Sequence, residues 1–428
     1  MSDLRNLTSL ELQEIRLKLM ERYRDCQSRN LKLDMTRGKP CPEQLNLSLG
    51  LLECRDGKDY TAEDGTDCRN YGGVDGIPEA KKLFAQYLDV EPDEIIIGGN
   101  ASLALMHDTI MRAMFRGVGD GHEPWVKLPS VKFLCPCPGY DRHFAILEYF
   151  NIEMIPIEMT DSGPDMNRVE ELVRDDESVK GIVCVPRYSN PTGITYADGV
   201  VDRLASMKTK APDFRIFWDN AYNAHHLTDR PERLKNILAA CKQAGNPERV
   251  WMFGSTSKIT FAGGGIALMA GSKKNIDLAR QQISFQTIGP DKMNQLRHVR
   301  FLKQVGGIGS LMKQHAAILE PKFDMVQSIL EKELGGKNVA HWSKPKGGYF
   351  VSLDTMEGCA KAVVSMAAQA GVKLTPAGAT FPYGKDPLDR NIRIAPSFPS
   401  VDEIRQAMEV LAICIQMVSI EKIMQKAG

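Results

Sequence analysis

FRIFWDNAY, residues Phe214–Tyr222, sets four large apolar side chains (Phe214, Ile216, Phe217 and Trp218) directly before an acid, an amide and a phenol. Such a run suits a strand buried on both faces, as in a parallel sheet covered by helices. Similar short runs recur on either side of it: EIIIGG (Glu94–Gly99), KFLC (Lys132–Cys135), IEMIPIEM (Ile152–Met159), GIVCVP (Gly181–Pro186), VWMFGS (Val250–Ser255) and GIALMAG (Gly265–Gly271). Helical patterns at Ser102–Arg116, Arg142–Phe150, Met166–Arg174 and Gly199–Lys208 fall between most of them. This alternation predicts an α/β fold, a mostly parallel sheet with helices on both faces. GIALMAG has no helix before it and is a candidate antiparallel strand.

Past Gly289 the texture changes to long helical stretches, with YFVSLDT (Tyr349–Thr355) and NIRIAP (Asn391–Pro396) as strands and a final helix from Val401 to Lys422. An early helix is expected over Ser9–Ser28. The chain therefore reads as a large domain, 47–300, and a smaller α+β domain built from 1–46 and 301–428.

Composition narrows the function classes. The 428 residues carry 54 Lys and Arg against 54 Asp and Glu, so no basic excess favours nucleic acid or a membrane surface. No apolar run is long enough to span a bilayer, and the N-terminus has no apolar signal core. The ten cysteines, Cys54 among them, form no C-x-x-C pair, which argues against a metal site or a disulfide framework. A reducing, cytoplasmic setting is expected.

Four polar clusters sit at strand ends: GGNASL (Gly98–Leu103), RYSNPTG (Arg187–Gly193), WDNAY (Trp218–Tyr222) and GSTSK (Gly254–Lys258). In an open parallel sheet, ligands bind at the carboxyl ends of the strands. Together these residues match the needs of an electron-sink cofactor. Lys258 offers an amine for an imine. Asp219, at the end of an apolar strand, needs a cationic partner, which a pyridinium supplies. Tyr222 and Asn190 can donate to a phenolic oxygen. Ser255, Ser257 and the backbone N–H groups of Asn100, Ala101 and Ser102 can cup a phosphate at a helix start. GGVDG (Gly72–Gly76) lacks a preceding strand and reads as a plain loop, and His225 and His226 read as packing residues.

In that order and at those separations, SNPTG, WDNAY and STSK resemble the fold-type I aminotransferases of class I/II, which use pyridoxal 5′-phosphate. With R-G-K-P, N-Y-G-G, P-G-Y-D-R-H and N-I-R-I-A-P-S, the resemblance runs from Arg37 to Ser397 and is nearest to the bacterial aspartate aminotransferase-like subgroup Ic. It implies that Tyr140 stacks on the cofactor ring and that Arg393 clamps the substrate α-carboxylate. It also implies that the segment around Gly38 closes over the substrate. Tyr71 is implied to reach the cofactor phosphate of a partner subunit, hence a homodimer with shared sites. One departure stands out: many relatives carry a phosphate-binding arginine soon after the lysine, whereas ITFAGGGIALMA (Ile259–Ala270) has no basic residue.

The implied reaction moves an amino group from an amino acid to a 2-oxo acid such as 2-oxoglutarate by a ping-pong route. Aspartate or another dicarboxylic donor is expected, with Arg37, Lys39, Lys292 and Arg297 as candidates for the distal carboxylate. The scaffold also admits a β-lyase, a decarboxylase or a cyclopropane synthase. A non-catalytic cofactor-sensing regulator would need a DNA-binding module, and the stretch before Asp34 is too short for one.

Overall fold

The expected strands appear in a computed structural model that describes residues 3–53, 60–119 and 121–427. In chain order the helices are α1 (Ser9–Ser28), α2 (Pro42–Asn46), α3 (Pro78–Leu88), α4 (Ser102–Arg116), α5 (Asp141–Tyr149), α6 (Met166–Asp175) and α7 (Asp198–Ser206). They continue as α8 (Ile237–Gln243), α9 (Lys273–Ile283), α10 (Lys292–Gln304), α11 (Ile308–Leu334), α12 (Ala360–Gln369) and α13 (Val401–Ala427). The strands are β1 (Leu33–Asp34), β2 (Ile95–Ile97), β3 (Lys132–Cys137), β4 (Glu153–Thr160), β5 (Gly163–Pro164), β6 (Val179–Cys184) and β7 (Arg215–Asp219). After them come β8 (Val250–Ser255), β9 (Ala267–Gly271), β10 (Ala340–Trp342), β11 (Val351–Thr355), β12 (Val372–Lys373) and β13 (Asn391–Ile394).

Eight strands form one sheet in the order β2-β9-β8-β7-β6-β3-β4-β5. From β8 through β4 the neighbours are parallel. GIALMAG becomes β9, antiparallel to both β8 and β2, so β2 points the same way as β8. The polar ends of β2, β3, β6, β7 and β8 thus share one edge.

Apolar runs explain the layering. Every residue of β6 and β7 is buried, and the two faces of the sheet feed two packed layers. Ile182, Ile216 and Trp218 pack toward α3, α6, α7, α8 and α10. Val183, Phe217 and Phe253 pack toward α4, α5 and α9. A separate core joins α1 (Leu12, Leu19), α12 (Val363) and α13 (Ile404, Leu411) to the β10-β11-β13 sheet. Helix α11 runs through both, with Leu311 and Met312 in the sheet core and Phe323 onward in the other. Pro321 falls between these stretches, where a missing N–H interrupts the helix ladder.

Helix α1 begins where expected because Thr8 and Glu11 close a reciprocal capping box. Strand β6 starts two residues before the apolar run, at Val179, since Lys180 is buried within it. Its ammonium lies 2.7 Å from Asp213 Oδ1, and Trp125 Nε1 donates to Asp213 Oδ2 at 2.8 Å. Leaving either charge of such a pair alone costs about 3–5 kcal/mol. Cys54 lies outside the described residues; the other nine cysteines are buried and unpaired. No helix among the described residues is long and apolar enough to cross a membrane.

Candidate active site

A cleft of about 150 Å³ opens at the shared strand edge, lined by Ala101, Ser102, Tyr140, Asn190, Asp219, Tyr222, Ser255, Ser257 and Lys258, with Leu103, Val185 and Ala221. Asp219 and Ser255 are the last residues of β7 and β8, and Ala101 caps α4. Nine of the residues singled out from sequence therefore meet in one place, drawn from five separate strand ends. Among the described residues, Lys258 is the sole cation lining the cleft.

Burial governs the chemistry of the cleft. It pushes the Lys258 amine below its ordinary value, and the Asp219 carboxylate opposes that shift. The Nζ atom sits 4.9 Å from the centre of the Tyr222 ring. Burial also raises Tyr222 well above its usual range and brings Tyr140 to about 12, so both remain protonated donors at neutral pH.

Asp219 is 3 % exposed. Its Oδ2 meets His143 Nε2 at 3.0 Å, while its Oδ1 is buried with no hydrogen-bond partner. An orphaned buried carboxylate oxygen is costly unless a donor or cation reaches it. His143 is buried on α5, edge-on to Tyr140 at 4.9 Å. Its D-R-H setting beside a helix start carried no signal of a partner 76 residues away.

The anion end is built from backbone and hydroxyls. Helix α4 starts without a side-chain cap, because Ala101 has none to offer, so its first N–H groups face the cleft. Ser255 Oγ bonds Ser257 Oγ at 3.0 Å, and Ser257 Oγ donates to the Asn100 carbonyl at 3.3 Å. The Asn100 side chain turns the other way, to the Gly263 carbonyl.

Arg393, on β13, lies beside the cleft wall. Its Nη1 is 2.8 Å from Asp141 Oδ1 and 3.4 Å from Asn190 Oδ1, and its Nε is buried without a partner. The guanidinium stands 4.9 Å from the centre of the Phe350 ring. Gly38 leans on the same ring: a Cβ there would fall 2.2 Å from Phe350 Cζ. The segment around Gly38 is thereby seated next to Arg393, and Gly38→Ala is expected to displace Phe350 and raise KM more than it lowers kcat.

The four candidate distal cations separate clearly. Lys292 is 4 % exposed, and its ammonium donates to the carbonyls of Asn70 and Gly72 at 2.7 and 2.6 Å, so it is not free for a substrate. Those carbonyls flank Tyr71, which is 82 % exposed and lies outside this chain's own cleft. Lys39 sits over the Phe398 ring at 3.9 Å, and Arg297 Nη2 bonds Asn294 Oδ1 at 3.2 Å. Arg37 is exposed and lies within electrostatic reach of Asp34, whose carboxyl its charge helps to lower. His225 is buried, and its Nε2 donates to the Lys258 carbonyl at 3.2 Å.

Comparison with known proteins gives a consistent picture. A family model described as aspartate amino-transferase matches residues 7–427. The aspartate aminotransferase of Corynebacterium glutamicum is 44 % identical over 403 residues, which cover 94 % of this chain and 93 % of that one. The crystal structure of an aspartate transaminase from the same species superposes with a TM-score of 0.96 at 43 % identity, covering 98 % and 99 % of the two chains. An α-aminoadipate aminotransferase of Thermus thermophilus, solved with N-(5′-phosphopyridoxyl)-L-leucine, shares the fold at a TM-score of 0.73 and 18 % identity, over 90 % and 92 %.

Proposed function

This chain belongs to the aspartate amino-transferase family and is an aminotransferase, and we propose that it carries an amino group from a dicarboxylic amino acid such as aspartate to a 2-oxo acid such as 2-oxoglutarate. Its cofactor is pyridoxal 5′-phosphate. The residues fit that group: the orphaned Asp219 Oδ1 suits a pyridinium N–H, and the uncapped start of α4 with Ser255 and Ser257 suits a phosphate. The observation that carries the reading is this unpartnered carboxylate oxygen, Asp219 Oδ1, in the same cleft as a buried lysine amine.

When bound, the cofactor supplies an electron sink for the pair left on the substrate α-carbon. Lys258 Nζ anchors the cofactor at rest, then takes the α-proton and returns it one position along. Its lowered proton affinity favours the free amine that this task needs. Asp219 holds the positive charge of the ring, with His143 fixing the carboxylate. Asn190 and Tyr222 would hold the phenolic oxygen, and Tyr140 would lie against the ring. Arg393 exchanges part of its contact with Asp141 for the α-carboxylate, which its fork geometry suits. One site serves donor and acceptor in turn, so parallel lines in a double-reciprocal plot are expected.

Arg37 is the remaining reader for a distal carboxylate. A desolvated charge pair there corresponds to about tenfold to a hundredfold in discrimination. Comparing kcat/KM for aspartate, glutamate, alanine and leucine at fixed acceptor tests this. The acidic donors are expected to win by that margin, and Arg37→Ala to erase it. If alanine or leucine equals them in the wild type, the dicarboxylate reading is wrong.

The active unit is read as a homodimer. Tyr71 projects from its own subunit on a loop pinned by Lys292, and Phe285 and Ile288 are exposed on the segment leading to Gly289, which touches Gly72. An inactive Tyr71 variant mixed with an inactive Lys258 variant is expected to regain activity through hybrid dimers. No recovery despite proven subunit exchange would mean self-contained sites. The two cores support a larger cofactor domain and a smaller one, but Phe301, Leu302, Leu311 and Met312 pack in the sheet core, so the division on this side falls within α11, between Met312 and Phe323, and not at 300.

A further inference from the structure

Behind Lys258 lies a set of buried polar side chains that the reaction does not use. Gln44 on α2, His315 on α11 and Tyr349 just before β11 are all 0 % exposed, and His225 is 2 % exposed. The Gln44 amide spends both hydrogens here: one goes to the Tyr349 hydroxyl at 2.9 Å and one to His315 Nδ1 at 2.9 Å. Its Oε1 accepts from the Cys41 N–H at 3.1 Å. The Tyr349 hydroxyl passes its own hydrogen to the Lys258 carbonyl at 3.5 Å, and His225 Nε2 donates to that same oxygen at 3.2 Å. Both histidines are kept neutral by burial, His315 at about 4, which suits His315 as an acceptor and His225 as a single donor. The rings of Tyr222, His225 and Tyr349 lie 5.5–5.9 Å from one another beside the lysine stem.

We propose that Tyr349, oriented by Gln44 and acting with His225 on the Lys258 carbonyl, is a positioning residue for the Lys258 amine, and that Gln44 ties this device to the N-terminal segment that ends at Cys41. The inference rests on Lys258 being the lysine that carries the cofactor. Two donors on one carbonyl fix the Lys258–Ile259 peptide plane and so the direction in which the side chain leaves the backbone. Four carbons separate that point from Nζ, which magnifies any rotation at Cα. A proton carrier displaced by about 1 Å loses up to a hundredfold in rate. Polar groups sealed in a core are costly to keep; here His225 Nδ1 and His315 Nε2 are left without a partner, and the bonds that are made converge on the peptide of the one lysine lining the cleft among the described residues. The same segment also seats Gly38 on Phe350, the ring beside Arg393.

Tyr349→Phe in the holoenzyme keeps the ring and removes the hydroxyl. Borohydride reduction and peptide mapping first establish that Lys258 still bears the label; a label elsewhere overturns the cofactor reading, and the inference with it. With Lys258 labelled, kcat is expected to fall about tenfold with KM within about twofold. The pH midpoint of the cofactor's absorption change is expected to move by about half a unit or more. Gln44→Met, which frees the hydroxyl from its orienting donor, is expected to shift the same midpoint in the same direction by less, and carries the test if the tyrosine variant does not fold. A lower Tm with unchanged midpoint and kcat shows a structural role alone and overturns the proposal.

Discussion

Lys258→Ala is expected to lower kcat by roughly ten-thousandfold, because one side chain both seats the cofactor and moves the proton. General acid–base work alone accounts for about a hundredfold to ten-thousandfold. No second base is placed to take over: Lys258 is the sole cation lining the cleft among the described residues, and the hydroxyls of Tyr140 and Tyr222 are held protonated by burial. In the holoenzyme Asp219 would keep the ring nitrogen and His143 as its partners, so the variant is expected to fold and to hold the cofactor without a covalent link. Turnover measurements and borohydride labelling followed by peptide mapping check both halves. Labelling of a different lysine in the wild type, or activity within about tenfold in the variant, would refute the assignment.

Asp219→Asn is expected to cost about tenfold to a hundredfold in kcat, with the fold intact. An amide can still meet His143, but it cannot keep a proton on a ring nitrogen. The loss of one charge-assisted hydrogen bond is worth about 1.5–3 kcal/mol, and each 1.36 kcal/mol is tenfold in rate. The variant also bears on Lys258. Burial lowers the lysine amine, and the Asp219 carboxylate holds it up. Removing the carboxylate therefore lowers the amine further, and acylation of Lys258 in the apoenzyme is expected to begin at a lower pH than in the wild type. Near-normal turnover would show that another group supports the ring nitrogen.

Much of the molecule was legible before folding. The all-apolar runs named the central strands, since a strand sealed on both faces has no reason to alternate. α1 and α4 begin and end at the expected residues. The missing crossover helix marked β9 as antiparallel. Boundaries slipped where a polar residue is buried for a tertiary reason, as at Lys180, whose partner Asp213 lies 33 positions on. α3 was not among the expected helices because its Pro78 reads as a loop signal until seen at the first helical position.

The candidate reacting groups were legible in local sequence: Asp219 ends β7, Asn190, Tyr222 and Lys258 follow within a few residues of β6, β7 and β8, and parallel strands deliver such ends to one edge whatever the loops do. Sequence alone could not say which side chains lean on those groups. His143 reaching Asp219, Lys292 gripping the loop of Tyr71, and Gln44, Tyr349 and His225 converging on the Lys258 carbonyl are contacts between elements distant in the chain. No periodicity records them. Burial and hydrogen-bond directions become defined only once the layers have packed, and at that point a basic or polar residue that reads as solvated is found bonded inside the protein.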